Sequence, residues 1–313
     1  MKLRALDFLV CPRCHESLSI ETRSVQGAEV LEGILGCLAC NRSYPIARGV
    51  PRFVGDGAYA SSFGRQWNWF RTVQLDSSNR SVQSEEALRA TTGWGDEDYV
   101  DRLVLDAGVG AGRFAEVVAK KGGEVVGVDL TSAVDAAYQN LGNRQHIHLV
   151  QADIFALPFR VGTFDLAYSI GVLHHTPDTV GAFERVAATV KKGGGFAVYL
   201  YARYGSWYRG SDVLRKLLTT RLPTSVMLAL SAIAIPAYFF YRLPLVGKVC
   251  QQLAPISMHP DWRWRWLDTF DWYTPQYQWK HLYPEVYGWF RENGFLDIEL
   301  FDEPIRMRGT KTA

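Results

Sequence analysis

The sequence predicts an α/β protein built on a mostly parallel sheet, with a small cysteine-rich module before it and an aromatic, apolar insertion within it. Three observations carry this. Apolar runs that end in an acid alternate with helical patterns over residues 101–202, the rhythm of a parallel sheet with crossover helices. Four of the five cysteines stand as two C-x-x-C pairs near the start. Residues 203–280 break the alternation, and residues 281–313 resume it. The chain therefore divides into residues 1–55, a linker with cap helices over 56–100, and a main domain over 101–313 that carries the insertion 203–280.

A length of 313 residues suffices for a buried core, and 48% hydrophobic with 21% charged residues is a globular balance. The net charge of +2 lacks the strong basic bias of a dedicated nucleic-acid binder. No apolar stretch follows the first charges, so no signal peptide is visible and a cytoplasmic location is expected.

Cys11-Pro-Arg-Cys14 and Cys37-Leu-Ala-Cys40 are separated by 22 residues. Each pair can offer two thiolates from one tight turn, and four soft ligands suit a closed, tetrahedral, structural zinc site. The stretch between them fits a β-hairpin. Two disulfides are the alternative, disfavoured in a reducing cytosol. Cys250 stands apart and reads as an apolar side chain in a buried position. In residues 1–55, seven basic face five acidic residues, which does not indicate RNA binding. Beyond them, Phe63, Trp67 and Phe70 share one face at helical spacing. That helix either closes over a ligand or docks on the core.

Leu103-Val-Leu-Asp106-Ala-Gly108-Val-Gly110-Ala-Gly112 reads as a strand, a tight turn and a helix start. Glycines allow close backbone approach, and the first N–H groups of a helix are free donors. The nicotinamide fingerprint G-x-G-x-x-G requires a third glycine where Arg113 stands; here it comes one place early, at Gly112. Glu124-Val-Val-Gly-Val-Asp129 is a second buried strand. Its acid lies about 20 residues past the first glycine, where a carboxylate can accept from ribose hydroxyls. The plain alternative is a solvated acid after a strand. His148-Leu-Val-Gln-Ala-Asp153-Ile154 follows; Asp153 is either a ligand acceptor or a helix N-cap. Phe164 to Ile170 reads as a fourth strand leading to His174-His175, and Gly194 to Tyr201 as a fifth.

The D-x-G-x-G-x-G form, with Asp129, Asp153 and the fourth-strand segment in order, resembles the class I S-adenosylmethionine (SAM)-dependent methyltransferases over roughly residues 100–202. The resemblance implies a Rossmann-like seven-stranded sheet closed by an antiparallel hairpin. It implies SAM held by Asp106, Gly108, Gly110, Gly112, Asp129, Leu130, Asp153, Ile154, Ser169 and Ile170. The acids would serve the ribose (Asp129) and the adenine amino group (Asp153). No Asn/Asp-Pro-Pro-Tyr/Phe segment follows strand four, which argues against adenine-N6 and glutamine acceptors. Leu6-Asp-Phe-Leu-Val-Cys-Pro and Tyr44-Pro-Ile-Ala-Arg-Gly-Val-Pro-Arg-Phe53 resemble the zinc-ribbon family whose members activate tRNA and translation-factor methyltransferases.

Within the insertion, Val226–Tyr241 is apolar over 16 residues with Pro236 inside it. It is short for a bilayer span of about 20 residues. A buried cap helix and an interfacial segment in peripheral membrane contact both remain open. Arg215, Lys216 and Arg221 precede it, and Arg242 and Lys248 follow. Asp261-Trp-Arg-Trp-Arg-Trp-Leu-Asp-Thr-Phe-Asp-Trp-Tyr273 reads either as a surface for a sugar, phosphate or aromatic ligand, or as the insertion's own core. The expected activity is methyl transfer to a small or amphiphilic metabolite such as a sugar or lipid intermediate. His174, His175 and Tyr201 are the candidate catalytic residues, with Tyr204 a weaker candidate for the pocket wall. RNA methylation using the ribbon, and a non-catalytic SAM-binding partner protein, are the competing readings. The sequence leaves the oligomeric state open.

Overall fold

The computed structural model describes residues 1–54, 61–203, 212, 215, 219–302 and 305–312. Tyr204, Lys216 and the Phe63 side chain, singled out above, lie outside the described residues. The chain divides into two compact units, Met1–Ala202 with Trp279–Ala313, and Arg203–Gln278.

The first unit holds two sheets. The smaller is antiparallel in the order β1 (Ser19–Gln26), β2 (Glu29–Gly36), β3 (Ser43–Ala47), β4 (Val50–Pro51). The larger has seven strands: β5 (Leu103–Ala107), β6 (Glu124–Asp129), β7 (Ile147–Gln151), β8 (Phe164–Ile170), β9 (Val190–Leu200), β10 (Phe295–Phe301) and β11 (Ile305–Lys311). Their spatial order is β10-β11-β9-β8-β5-β6-β7. The pairs from β7 to β9 are parallel, and β11 runs antiparallel between β9 and β10. This is the seven-stranded Rossmann-like sheet expected, closed by the expected hairpin. The central strands are apolar on both faces because helices cover both. The helices of this part of the chain are α1 (Ser61–Trp69), α2 (Asp76–Asn79), α3 (Gln83–Thr92), α4 (Arg113–Lys120), α5 (Ala133–Leu141) and α6 (Thr179–Ala188), of which α3 to α6 pack on the sheet.

The four cysteines converge, with all four sulfurs within 4.8 Å of one another. Cys11 Sγ lies 3.6 Å from Cys40 Sγ, and Cys14 Sγ 3.4 Å from Cys37 Sγ. Those distances exclude disulfides. They approach the ~3.8 Å edge of a tetrahedron whose metal–sulfur bonds are about 2.3 Å, so the set fits zinc. The knuckles are built alike. The residue after each second cysteine, His15 and Asn41, takes the left-handed conformation at φ 59° and 55°. The Cys11 N–H donates to Glu16 O and the Cys37 N–H to Arg42 O.

The ribbon is not an independent body. Leu9 bridges to Phe159, the Val10 N–H donates to Pro158 O, and the Phe53 N–H donates to Gln151 O at the end of β7. Lys2 Nζ donates to the carbonyls of Gly142 and Ile147. Arg4 pairs with Glu124, and Arg52 with Asp135 at 2.6 Å and Gln151 at 2.6 Å. Phe8, Leu9, Leu35 and Tyr44 belong to one apolar cluster with Leu105, Val126 and Phe183 of the main sheet.

The second unit is helical: α7 (Thr224–Ser231), α8 (Ala234–Tyr241), α9 (Val246–Leu253) and α10 (Trp262–Tyr273). Asp261 caps α10 by accepting from the N–H groups of Arg263 and Trp264. Trp264, Leu267 and Phe270 are buried, and Trp266 Nε1 donates to Leu228 O and Ser231 Oγ. Buried Arg265 donates to the carbonyls of His259, Ile235 and Pro260 and lies 3.6 Å from the Tyr238 ring centre. The tryptophan-arginine stretch is thus largely core of the insertion rather than an open ligand surface. Cys250, expected buried, is only half-buried because α9 turns part of its surface outward. In the chain, α11 (Tyr283–Glu292) comes next and belongs to the first unit.

An autonomous ribbon would melt alone on loss of metal. The shared core forbids that. Chelation followed by thermal denaturation should lower one cooperative transition that includes the main sheet, read by far-ultraviolet circular dichroism. An early, separate transition confined to the ribbon would contradict the shared core, and no change would count against a structural zinc in this position.

Candidate functional site

Strand β5 stands where the sheet order reverses, with β6 on one side and β8 on the other. In open α/β sheets, ligands bind at the carboxyl end of such a point. Three acids meet there. Asp106 lies within β5, opposite Gly127 of β6 and Tyr168 of β8. Asp129 ends β6 and is paired with Gln151, two residues before Asp153. Register alone places these carboxylates along one edge.

The turn after β5 is forced into a glycine path. Gly108, Gly110 and Gly112 take φ of 101°, 53° and 93°, left-handed values that residues with a Cβ rarely adopt. A Cβ at Gly108 would lie 2.3 Å from Val172, in the loop after β8. At Gly112 it would lie 2.5 Å from Leu141 of α5, and at Gly110 3.2 Å from the Trp67 indole of α1. Trp67 therefore packs on the turn. Helix α1 is tied to α5 by Asn68 Nδ2, which donates to Ser132 O at 2.9 Å.

Asp129 is engaged in this structure. Its Oδ1 accepts from the Thr131 N–H and Oγ1–H, at 2.9 and 2.8 Å, and its Oδ2 accepts from the Gly110 N–H at 3.1 Å. A carboxylate offers about four acceptor positions, so roughly one remains. Burial raises its pKa, and the hydrogen bonds from Thr131 and Gly110 oppose the rise. Asp106 differs. It is 2% exposed, and its Oδ2 has no hydrogen-bond partner. Burial pushes its pKa up to about 7, against the pull of Tyr168. An unpartnered buried carboxyl oxygen is costly to leave unmet and fits a ligand donor or cation.

Asp153 acts as an N-cap: its Oδ1 accepts from the Phe155 N–H at 3.0 Å. The capping alternative raised from the sequence is realised, and Oδ2 stays outside that bond. Ile154 beside it is buried, and Leu130 gives its carbonyl to Gln151 Nε2. Ser169 is buried with its hydroxyl donating to Ala107 O at 2.7 Å, so its side chain serves the β5–β8 junction. Ile170 ends β8.

His174, His175 and Tyr201 gather beyond β8 and β9. The His174 and Tyr201 rings stack at 4.0 Å, and His175 lies 4.2 Å from His174. His174 is fully buried, and neither of its ring nitrogens has a hydrogen-bond partner. Burial, helped by His175, His281 and Lys280, holds its pKa well below the usual imidazole value, so it is neutral. His175 is only half-buried. Ala202 bridges to His281, and the Trp279 N–H donates to His174 O. Trp67 lies on the helix expected either to close over a ligand or to dock on the core, whereas His281 has no expected role. Trp67 carried a helical-face signal; His281 carried none, because its place depends on the chain returning after the insertion.

The family model described as methyltransferase domain matches residues 105–198, and the model described as Trm112p-like protein matches residues 2–49. A ubiquinone biosynthesis O-methyltransferase of Coxiella burnetii is 34% identical over 116 residues, 34% of this chain and 50% of that protein. A sterol 24-C-methyltransferase of Saccharomyces cerevisiae is 28% identical over 167 residues, 51% of this chain and 42% of that protein. The chain thus spans about half the length, or less, of these curated relatives. Among solved structures, human N-acetylserotonin methyltransferase in complex with SAM is 18% identical, with a TM-score of 0.47, over 82% of this chain and 58% of that one. Residues 2–49 are thus similar to the Trm112p-like family and residues 105–198 to the methyltransferase domain family.

Proposed function

We propose that the protein transfers a methyl group from SAM to a small or amphiphilic metabolite. The observation that carries this is the edge formed by Asp106, Asp129 and Asp153 beside a turn that only glycine can follow. SAM would supply an electrophilic methyl group bonded to a sulfonium. The chain's own task is positioning, because an in-line displacement needs little covalent help. In this reading Asp129 keeps its bond to the Gly110 N–H and uses its remaining acceptor position for a ribose hydroxyl. A two-hydroxyl grip would require Thr131 or Gly110 to release it. The free Asp153 oxygen serves the adenine amino group, with Ile154 against the ring. Asp106 faces the cationic end, and Trp67 walls the turn from outside.

A hydroxyl acceptor requires proton removal. We assign this to the His174–His175 pair. Burial disfavours the protonated form of His174, so half-buried His175 is assigned the proton and His174 positions its ring by direct contact. The choice of acceptor is assigned to the insertion 203–280. The ubiquinone and sterol pathways of the relatives named above favour an amphiphilic one. The RNA reading loses support because the ribbon's Lys2 and Arg52 are bound to carbonyls and a carboxylate of the main domain, and the exposed Arg4 and Arg48 are paired with its Glu124 and Asp135.

The test is incubation with methyl-labelled SAM and a fractionated host extract. Label should enter the organic-extractable small-molecule fraction. Label confined to RNA or protein would overturn the acceptor class, and no label in any fraction would overturn the enzyme reading.

A pH dependence follows from Asp106. The empty protein keeps this group protonated up to about pH 7, against 3.8 for the exposed group. Without ligand, the fold therefore loses stability as pH rises across that window. A bound cation favours the carboxylate, so SAM binding releases a proton. Affinity should strengthen as pH rises through about 7, by at most about tenfold per pH unit, and level off above. Asp106→Asn should weaken binding and flatten the profile. Calorimetric titration across that range checks both.

A further inference from the structure

The inserted unit shows an apolar surface where a folded domain would normally bury one. Of the residue window Thr224–Tyr241, which is long and apolar enough to cross a membrane, only 17% is buried. A core helix would be mostly buried. Ile233, Phe239, Phe240, Leu245 and Leu253 are between 60% and 77% exposed. In α9, Val246, Val249 and Leu253 share one face at i, i+3 and i+7, and that face points outward. The turn from α8 to α9 places Leu243, Pro244 and Leu245 in solvent, with Leu245 in the left-handed conformation at φ 68°. So many exposed large apolar side chains within one stretch of chain mark an interaction site.

The charges around it choose the partner. No Asp or Glu occurs between Asp212 and Asp261. Arg221, Arg242 and Lys248 are exposed, and no ion pair joins them to a carboxylate among the described residues. A second copy of the chain, docking this face on itself, would set these cations against each other with no acid to answer them. Anionic headgroups answer them directly.

An interfacial placement fits this segment better than a span: the apolar window is interrupted at Ala232–Ile233, between α7 and α8, with Pro236 just beyond. Both are fastened to α10 on their other side, α7 by Trp266 and α8 by Arg265. We propose that α7 to α9 insert their exposed apolar face into the surface of an anionic bilayer, with Arg242 and Lys248 at headgroup level. This stands independently of the methyl-transfer reading, since it concerns only where the protein resides.

The test is co-flotation of the full, zinc-loaded chain with vesicles of phosphatidylcholine alone and vesicles also containing phosphatidylglycerol. The wild type should float with the anionic vesicles and much less with the neutral ones. Phe239→Ser with Phe240→Ser should weaken that binding by tenfold or more. Arg242→Gln with Lys248→Gln should weaken it by about tenfold or more and remove most of its salt sensitivity. Leu38→Ser, at an exposed ribbon position, should change nothing. Unaltered thermal unfolding and SAM affinity would show that the variants fold. The proposal falls if the wild type stays with the soluble fraction, if the phenylalanine variant floats equally well, or if the patch instead drives self-association or binding to a soluble protein.

Discussion

The rest of the structure depends on the crowded turn at the end of β5. Val172, Trp67 and Leu141 fill the space that a Cβ would need at Gly108, Gly110 and Gly112. Each comes from a different element: the loop after β8, α1 and α5. The backbone therefore has one path, with left-handed residues that turn the Gly110 N–H toward Asp129. Only that path brings the second strand's acid against the first strand's turn. A side chain at Gly108 or Gly112 would push these elements apart, so this constraint couples the fold to the site.

The ribbon acts on the same region from below. Arg52 holds Asp135 on α5 and Gln151 at the end of β7. Gln151 in turn donates to the Leu130 carbonyl and is paired with Asp129. The positions of α5 and of two acid-bearing strand ends thus depend on the metal module. A zinc ribbon too small to fold well alone and a sheet whose edge strand β7 needs cover each satisfy the other.

Much of this was legible in the sequence, for reasons tied to particular residues. Buried strands read as apolar runs that stop at Asp129, or just beyond Asp106 at Ala107, and C-x-x-C pairs announce their metal by spacing alone. Glycines mark a left-handed turn wherever a periodic strand gives way to a periodic helix. What remained hidden depends on partners distant in the chain. Nothing near Arg52 foretells Asp135, and nothing near His174 foretells its enclosure by Tyr201 and the returning segment at Trp279. The arginines and tryptophans of α10 resemble a ligand surface until Arg265 is seen feeding three carbonyls. The apolar run 226–241 fits a buried helix and an interfacial one equally well by composition, and only its exposure distinguishes them. Asp153 shows a milder limit, since capping and ligand binding favour the same residue type.

The central claim is that the acids at the strand ends hold SAM against the glycine turn. Its most direct test is calorimetric titration of SAM, with NAD as comparison, into the wild type and Asp129→Ala. The account predicts that SAM binds the wild type with one site per chain, that NAD does not bind, and that Asp129→Ala loses on the order of tenfold or more in affinity while keeping its thermal transition. Absence of SAM binding to the wild type, or equal affinity in the folded variant, would contradict it.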